Sequence, residues 1–192
     1  MKHSIISAAI AFALAGSAGL AGAAGMTKPE VKAQKERIEA DYKAAKTQCG
    51  TLKANAKDIC MAEAKGKHEV AKAELEAQRD PSPRHDAKVK KEKAEADYKV
   101  AKEKCEDLQG NQQDVCKKDA KAAYEAAKGD AKVTKVAGEK GAASVNAASE
   151  RKEAREETSE ARYAAAKERC DPLSGQAKDT CLNDAKKKFN KM

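Results

Sequence analysis

The six cysteines of this 192-residue chain fall into three pairs, each with ten residues between its members, and no other feature narrows the possible folds so much. The pairs are Cys49 with Cys60, Cys105 with Cys116, and Cys170 with Cys181. A related run leads into each one. Ala40-Asp41-Tyr42-Lys43-Ala44-Ala45-Lys46 precedes the first, Ala96-Asp97-Tyr98-Lys99-Val100-Ala101-Lys102 the second, and Ala161-Arg162-Tyr163-Ala164-Ala165-Ala166-Lys167 the third. On one continuous helix, two residues eleven apart share a face but stand ~16 Å from each other. A disulfide requires Cα atoms ~4.4–6.8 Å apart. A straight helix therefore cannot close such a pair within the chain, whereas a turn between the cysteines can. Gly50, Gly110, and Pro172 with Gly175 supply turn residues in the three intervals. The competing reading, straight helices joined by intermolecular disulfides, leaves those residues without a purpose.

A hairpin stapled in this way has a second consequence. Seven residues before the first cysteine stand Tyr42, Tyr98 and Tyr163, and eight after the second stand His68, Tyr124 and Phe189. Both offsets are about two helical turns, so each aromatic shares a face with its cysteine. In an antiparallel hairpin the two members of each pair meet ~11–12 Å below the disulfide. Ala45, Ala101 and Ala166 on the first helices, with Ala64, Ala120 and Ala185 on the second, lie between. The expected fold is all-α: three disulfide-stapled antiparallel helical hairpins, coiled-coil-like, joined by flexible linkers. Tyr42, His68, Tyr98, Tyr124, Tyr163 and Phe189 are the expected hairpin core. Units of ~40–50 residues build marginal cores. Closing a 12-residue loop contributes roughly 3 kcal/mol on the loop-entropy argument, comparable to the packing itself.

The start of the chain reads as a leader. Met1-Lys2-His3 is a short basic segment, Ile5 to Leu14 is apolar, and Ala21-Gly22-Ala23 fits a small-x-small cleavage rule, as does a cut after Ala24. The rival is an uncleaved anchor, but the strongly apolar part is shorter than the ~20 residues a spanning helix needs. Residues 1–24 are thus read as a signal peptide. An even cysteine count behind such a leader points to an oxidising compartment.

Boundaries follow from capping and breaking residues. Thr27, Pro29 and Glu30 form a capping box with proline in the first turn, opening hairpin 1 over 27–79. Asp80-Pro81-Ser82-Pro83 breaks it, giving a linker over 80–86. Hairpin 2 occupies 87–128. Gly129, Gly138, Gly141, Ser144 and Asn146 mark 129–147 as a disordered linker that lets the third hairpin move independently. Hairpin 3 is 148–192. Asn55-Ala56-Lys57-Asp58 reads as a helix N-cap with an acid at its third position, and Asp114 and Asp179 recur at the place of Asp58. The units are 56 and 65 residues apart, which suits repeats on linkers of unequal length rather than a stacked solenoid.

Chemical readings of the cysteines fare worse. Structural zinc takes closely spaced pairs, which are absent here, and His68 fills an aromatic slot while His85 lies in a proline-rich loop. Thiol oxidoreductases use Cys-x-x-Cys, which is also absent. A thiol metal buffer would need free thiols. No Ser/His/Asp set, phosphate-binding glycine loop or paired catalytic carboxylates occurs. The expectation is a non-enzyme with no cofactor and no metal.

Charge bounds the partners. Charged residues make up 36% of the chain and aromatics 3%, and the formal charge of +8 becomes +7 once Lys2 leaves with the leader. Lys and Glu are interspersed, as in Lys90-Lys91-Glu92-Lys93, which makes solvated helix faces. No aromatic is left over for base stacking. Weak association with anionic surfaces, through a patch such as Lys186-Lys187-Lys188, is compatible with this, and specific nucleic-acid binding is not expected.

The runs Lys32 to Lys46 and Glu69 to Glu76 resemble, in composition, the alanine- and lysine-rich helical segment of TolA-like cell-envelope proteins of Gram-negative bacteria. The resemblance implies a periplasmic location and protein partners in the cell envelope. It departs from that family in the cleavable leader and in helices that fold back, so no partner-binding residue carries over. The function expected on these grounds is a periplasmic structural or protein-interaction module. A stress-protective, chaperone-like polyampholyte is the alternative.

Overall fold

The computed structural model describes residues 26–191, and the signal-peptide reading of residues 1–24 lies outside them. Six helices follow one another: α1 (Lys28–Cys49), α2 (Ala54–Arg79), α3 (Pro83–Cys105), α4 (Gly110–Lys140), α5 (Val145–Glu168) and α6 (Gly175–Lys188). Each packs on its neighbours in sequence and on no other helix among the described residues. The helices therefore stand in a row, alternately up and down, one layer thick. Three disulfides join α1 to α2, α3 to α4 and α5 to α6, with Cα separations of 5.4, 5.6 and 5.8 Å. These are the stapled hairpins expected from the spacing.

Local chemistry explains the starts of α1 and α3. Thr27 accepts from the Glu30 backbone N–H, and the Glu30 carboxylate accepts from the Thr27 N–H at 2.8 Å, a complete capping box. Those bonds also hold the Glu30 carboxyl below its ordinary range. Ser82 accepts from His85 N–H, and Pro83 fills the first turn of α3. The proline that ends one helix thus begins the next, and the 80–86 linker shrinks to three residues between α2 and α3.

The segment 129–147 is the main departure from expectation. Instead of a disordered linker, α4 continues to Lys140 and α5 begins at Val145. The physical reason lies at Gly129. A Cβ placed there would stand 2.6 Å from the Ala154 Cβ of α5, closer than two carbons can approach. Gly66 meets Ala96 of α3 in the same way, also at 2.6 Å, and Gly138 meets Pro83. At these glycines the neighbouring helix leaves no room for a Cβ. Ala73, Ala87, Ala122, Ala131, Ala147 and Ala165 are buried beside them. Glycine that read as flexibility is contact surface, and hairpin 3 is packed on hairpin 2 rather than free of it.

Ion pairs flank the seams. Glu63–Lys104, Glu74–Lys93 and Glu76–Lys88 cross from α2 to α3 at 3.6, 2.7 and 2.5 Å. Lys128–Glu157 and Lys132–Glu153 cross from α4 to α5, and Arg169, just past the end of α5, donates from Nη2 to both carboxylate oxygens of Asp119 on α4. All are exposed at least in part, so each contributes ~1 kcal/mol or less, and their combined effect is to fix register.

Helix propensity and packing make opposite forecasts for Gly129→Ala. Propensity alone gains about 1 kcal/mol in a helix interior. Overpacking at the Ala154 contact costs ~1–3 kcal/mol. The structure predicts net destabilisation in urea unfolding followed by circular dichroism, with recovery in Gly129→Ala/Ala154→Gly, which exchanges the two partners. Stabilisation by the single substitution would mean that α4 and α5 do not touch there.

Candidate functional site

All three disulfides fall at one end of the row, because the first helix of every hairpin runs in the same direction. Cys49, Cys105 and Cys170 are almost wholly buried, while Cys60, Cys116 and Cys181 are half-buried. No cysteine among the described residues is free. Below each staple the expected aromatic pair is present. Tyr42 and His68 stack at 4.4 Å between ring centroids and 17° between planes. Tyr98 and Tyr124 stack at 4.9 Å and 22°. Tyr163 and Phe189 meet at 6.1 Å and 56°, because Phe189 lies one residue past the end of α6. Both the stacked and the tilted geometry suit the ring quadrupoles. Lys46, Lys102 and Lys167, each four residues after its tyrosine, place ammonium groups 5.4–5.8 Å from the ring centroids.

His68 is the one imidazole of this set, and both of its ring nitrogens have partners. Nε2 is 2.8 Å from Glu39 Oε1, Nδ1 is 3.2 Å from Glu69 Oε1, and the side chain is 9% exposed. One ring face is covered by Tyr42. Partial burial raises the Glu69 carboxyl, but hydrogen bonds and charge from Lys72 and His68 outweigh it and leave it below its ordinary value. The ring joins α1 to α2 as a polar packing residue. Among the described residues no three His, Cys, Asp or Glu side chains converge as a metal set would.

Two asparagines complete this end, and the sequence pattern gave the first of them another role. Asn55 is not an N-cap: Lys53 holds that position, and α2 begins without a side-chain cap bond. Asn55 Nδ2 instead donates to Glu103 O (2.7 Å) and Asp107 Oδ1 (2.8 Å) of hairpin 2. Asn111 Nδ2 likewise donates to Glu168 O (2.7 Å) of hairpin 3. Both reach carbonyls in the last turn of a neighbouring helix, where Glu103 O and Glu168 O otherwise accept only the i+3 backbone N–H groups of Glu106 and Asp171. α4 and α6 also start without side-chain cap bonds, so Asp58, Asp114 and Asp179 do not cap. The signal was available: asparagine recurs five residues before the second cysteine in the two hairpins that have a following neighbour, and Gln176 replaces it in the third.

The loops present Leu52, Leu108 and Leu173, each three residues after a first cysteine, with exposures of 41%, 37% and 41%. Their backbone N–H groups donate to the carbonyls of Cys49, Cys105 and Cys170. These leucines are thus held in one repeated conformation and account for three of the four large apolar side chains exposed among the described residues.

An open trough of about 540 Å³ between α2, α3 and α4 is lined by Arg84, Lys88, Lys91, Lys128, Lys132 and Lys135 with Glu76 and Glu92. Most of its cations are already answered. Lys88 pairs with Glu76, Lys91 with Glu95, and Lys128 and Lys132 with acids of α4 and α5. Hydrogen bonds to Glu95, Glu125 and Glu153 raise the three lysines at 91, 128 and 132. The bond from Lys88 lowers Glu76. Salt bridging within the chain uses most of the charge that an anionic ligand would need.

No known protein family, curated protein or solved structure matches this chain. Three formed disulfides place it in an oxidising, extracytoplasmic environment. Among the described residues no helix is long and apolar enough to cross a membrane.

The turns also separate glycine's two uses. Gly110 and Gly175, six residues before their second cysteines, have φ of 54° and 55°. The same position in hairpin 1 is Ala54, with φ of 48°. Gly50, the expected turn residue, has φ of −61°. A side chain at positive φ costs roughly 1 kcal/mol. Ala54→Gly should therefore stabilise the chain by ~0.5–1 kcal/mol, while Gly110→Ala and Gly175→Ala destabilise it by similar amounts. Thermal melts of the three variants check this, and loss of stability in Ala54→Gly would contradict it.

Proposed function

We propose that this chain is an exported, non-enzymatic protein of the Gram-negative periplasm that serves the cell envelope as a structural and protein-interaction module. The leader-like residues 1–24 and the three disulfides support export to an oxidising compartment. The observation that carries the interaction reading is the loop end of the row. Three disulfide-braced loops stand side by side, each presenting a leucine of near-equal exposure, and Val145 at the start of α5 is the one other large apolar side chain exposed among the described residues. Apolar side chains held rigidly on a polar background lose little conformational entropy on docking. The compositional resemblance to TolA-like proteins agrees with partners in the envelope, and none of that family's binding residues is transferred.

One observation favours a second reading. Oppositely charged pairs run along the helices, as in Lys32–Glu36, Lys91–Glu95 and Lys152–Glu156, giving the mixed-charge surface of a stress-protective polyampholyte. Crosslinking in intact cells from a photoreactive residue at Lys53, beside Leu52, separates the two. The adaptor reading predicts one dominant adduct, lost in the Leu52→Ser/Leu108→Ser/Leu173→Ser variant while the helical circular dichroism is unchanged. Diffuse adducts, with suppression of aggregation of unrelated proteins by both forms, would establish the protectant instead.

A further inference from the structure

We propose that α5 and the turn before it form a docking site for an anionic phospholipid surface. Arg151, Arg155 and Arg162 meet the lipid phosphates, and Val145 enters the headgroup layer. The short last helix leaves this part of α5 open. α2 continues about five turns past Cys60 and α4 more than six past Cys116, whereas α6 stops at Lys188, about two turns past Cys181. Phe189 reaches Tyr163 and Lys191 reaches Glu160. Nearer the start of α5 an open trough of about 690 Å³ remains, lined by Ala148, Arg151, Lys152 and Arg155.

The charge here is peculiar to hairpin 3. Eight residues before the first cysteine stand Asp41 and Asp97 in hairpins 1 and 2, and nineteen before it stand Glu30 and Asp86. Hairpin 3 has Arg162 and Arg151 at these places, with Arg155 between them. The three share one helix face and span ~16 Å of it. The fold does not require the exchange, because the other two hairpins are built with acids. Nor does it serve salt bridging within the chain. The neighbouring Lys152 and Arg169 pair with Glu156 and Asp119. Among the described residues Arg155 and Arg162 have no ion pair or hydrogen bond, and Arg151 donates only to the Ala142 carbonyl, at 2.7 Å.

The turn selects a lipid surface as the carrier of the anions. Gly141, Ala142 and Ala143 are exposed, and Val145 is 84% exposed, far more than any loop leucine. The turn is nonetheless ordered. Ser144 N–H donates to Gly141 O at 3.1 Å, and Ser144 Oγ accepts from Ala147 N–H at 3.2 Å. The Arg151 bond to Ala142 ties it to the arginine face. An apolar turn beside unanswered guanidinium groups suits the boundary between water and lipid, where the one is buried and the others bind phosphate. A soluble anion or an acidic protein would use the arginines and leave Val145 in water. A second copy of the same face would set arginine against arginine.

Co-sedimentation of the chain, its three disulfides intact, with lipid vesicles in about 0.1 M salt tests the proposal. Vesicles of equal parts phosphatidylglycerol and phosphatidylcholine should bind it, and phosphatidylcholine alone should not. A cation at an anionic surface contributes about 5-fold in partitioning. Arg155→Gln/Arg162→Gln, whose side chains hold nothing else in place, should therefore bind about 25-fold more weakly, and adding Arg151→Gln should bring the loss to about 100-fold. Val145→Ser should lose roughly 5-fold. Lys28→Gln/Lys32→Gln/Lys35→Gln removes the same charge from exposed positions on α1, several ~10 Å screening lengths away, and should lose less than about 2-fold. Circular dichroism of all variants should match the parent. Equal binding to both vesicles, equal losses from the arginine and lysine triples, or full binding by Val145→Ser would each overturn the proposal. So would stronger release by inorganic phosphate than by chloride at equal ionic strength, which would assign the arginines to free phosphate.

Discussion

The disulfide across each turn is the constraint on which the rest of the structure depends. Two helices made of alanine, lysine and glutamate have little apolar surface to hold them together. Closing the 12-residue loop removes roughly 3 kcal/mol of unfolded-state entropy per hairpin. It also fixes where each helix begins relative to its partner. From that origin every later contact follows by counting turns: Tyr42 arrives at His68, Tyr98 at Tyr124 and Tyr163 at Phe189. The aromatics add buried area at these points only, while the alanines between them allow close approach of the backbones.

Between hairpins no covalent link sets the distance, and the chain uses a different device. Glycine against alanine brings α2 to α3 and α4 to α5 at near-minimal separation, so that dispersion contacts involve the backbones themselves. Asn55 and Asn111 bind carbonyl groups at the ends of the adjoining hairpins, which fixes the top of each seam. Cross-seam ion pairs fix the rest. The result is a row of helices whose loop end repeats an exposed leucine.

Much of this was legible in the sequence, and what was not has a physical explanation. Cysteine spacing excluded a straight helix, and the aromatic offsets then placed six side chains in pairs, so the hairpins could be read without coordinates. The seams could not. Small residues carry no hydrophobic signal, so Gly129, Gly138 and Ala147 looked like loop composition, when the two glycines leave no room for a Cβ and Ala147 is fully buried. Asn55 satisfied the local pattern of an N-cap, and its true acceptor lies 48 residues away. Ala54 was overlooked because Gly50 nearby offered a more familiar turn residue. Local pattern succeeded where a covalent bond enforced locality and failed where the contact partner came from another hairpin.

Function inherits this division. Stapled hairpins suit an environment that keeps cysteines oxidised, and the row presents braced loops at one end and an open helix face at one edge. The most direct test of the account is a thermal melt, followed by circular dichroism at 222 nm, of the oxidised chain beside the same chain reduced and alkylated. If the staples hold the hairpins, the reduced chain loses helicity at 25 °C and its transition broadens and falls by tens of degrees, as removal of ~2–4 kcal/mol per disulfide requires. Equal helicity and an unchanged transition after complete alkylation would contradict it.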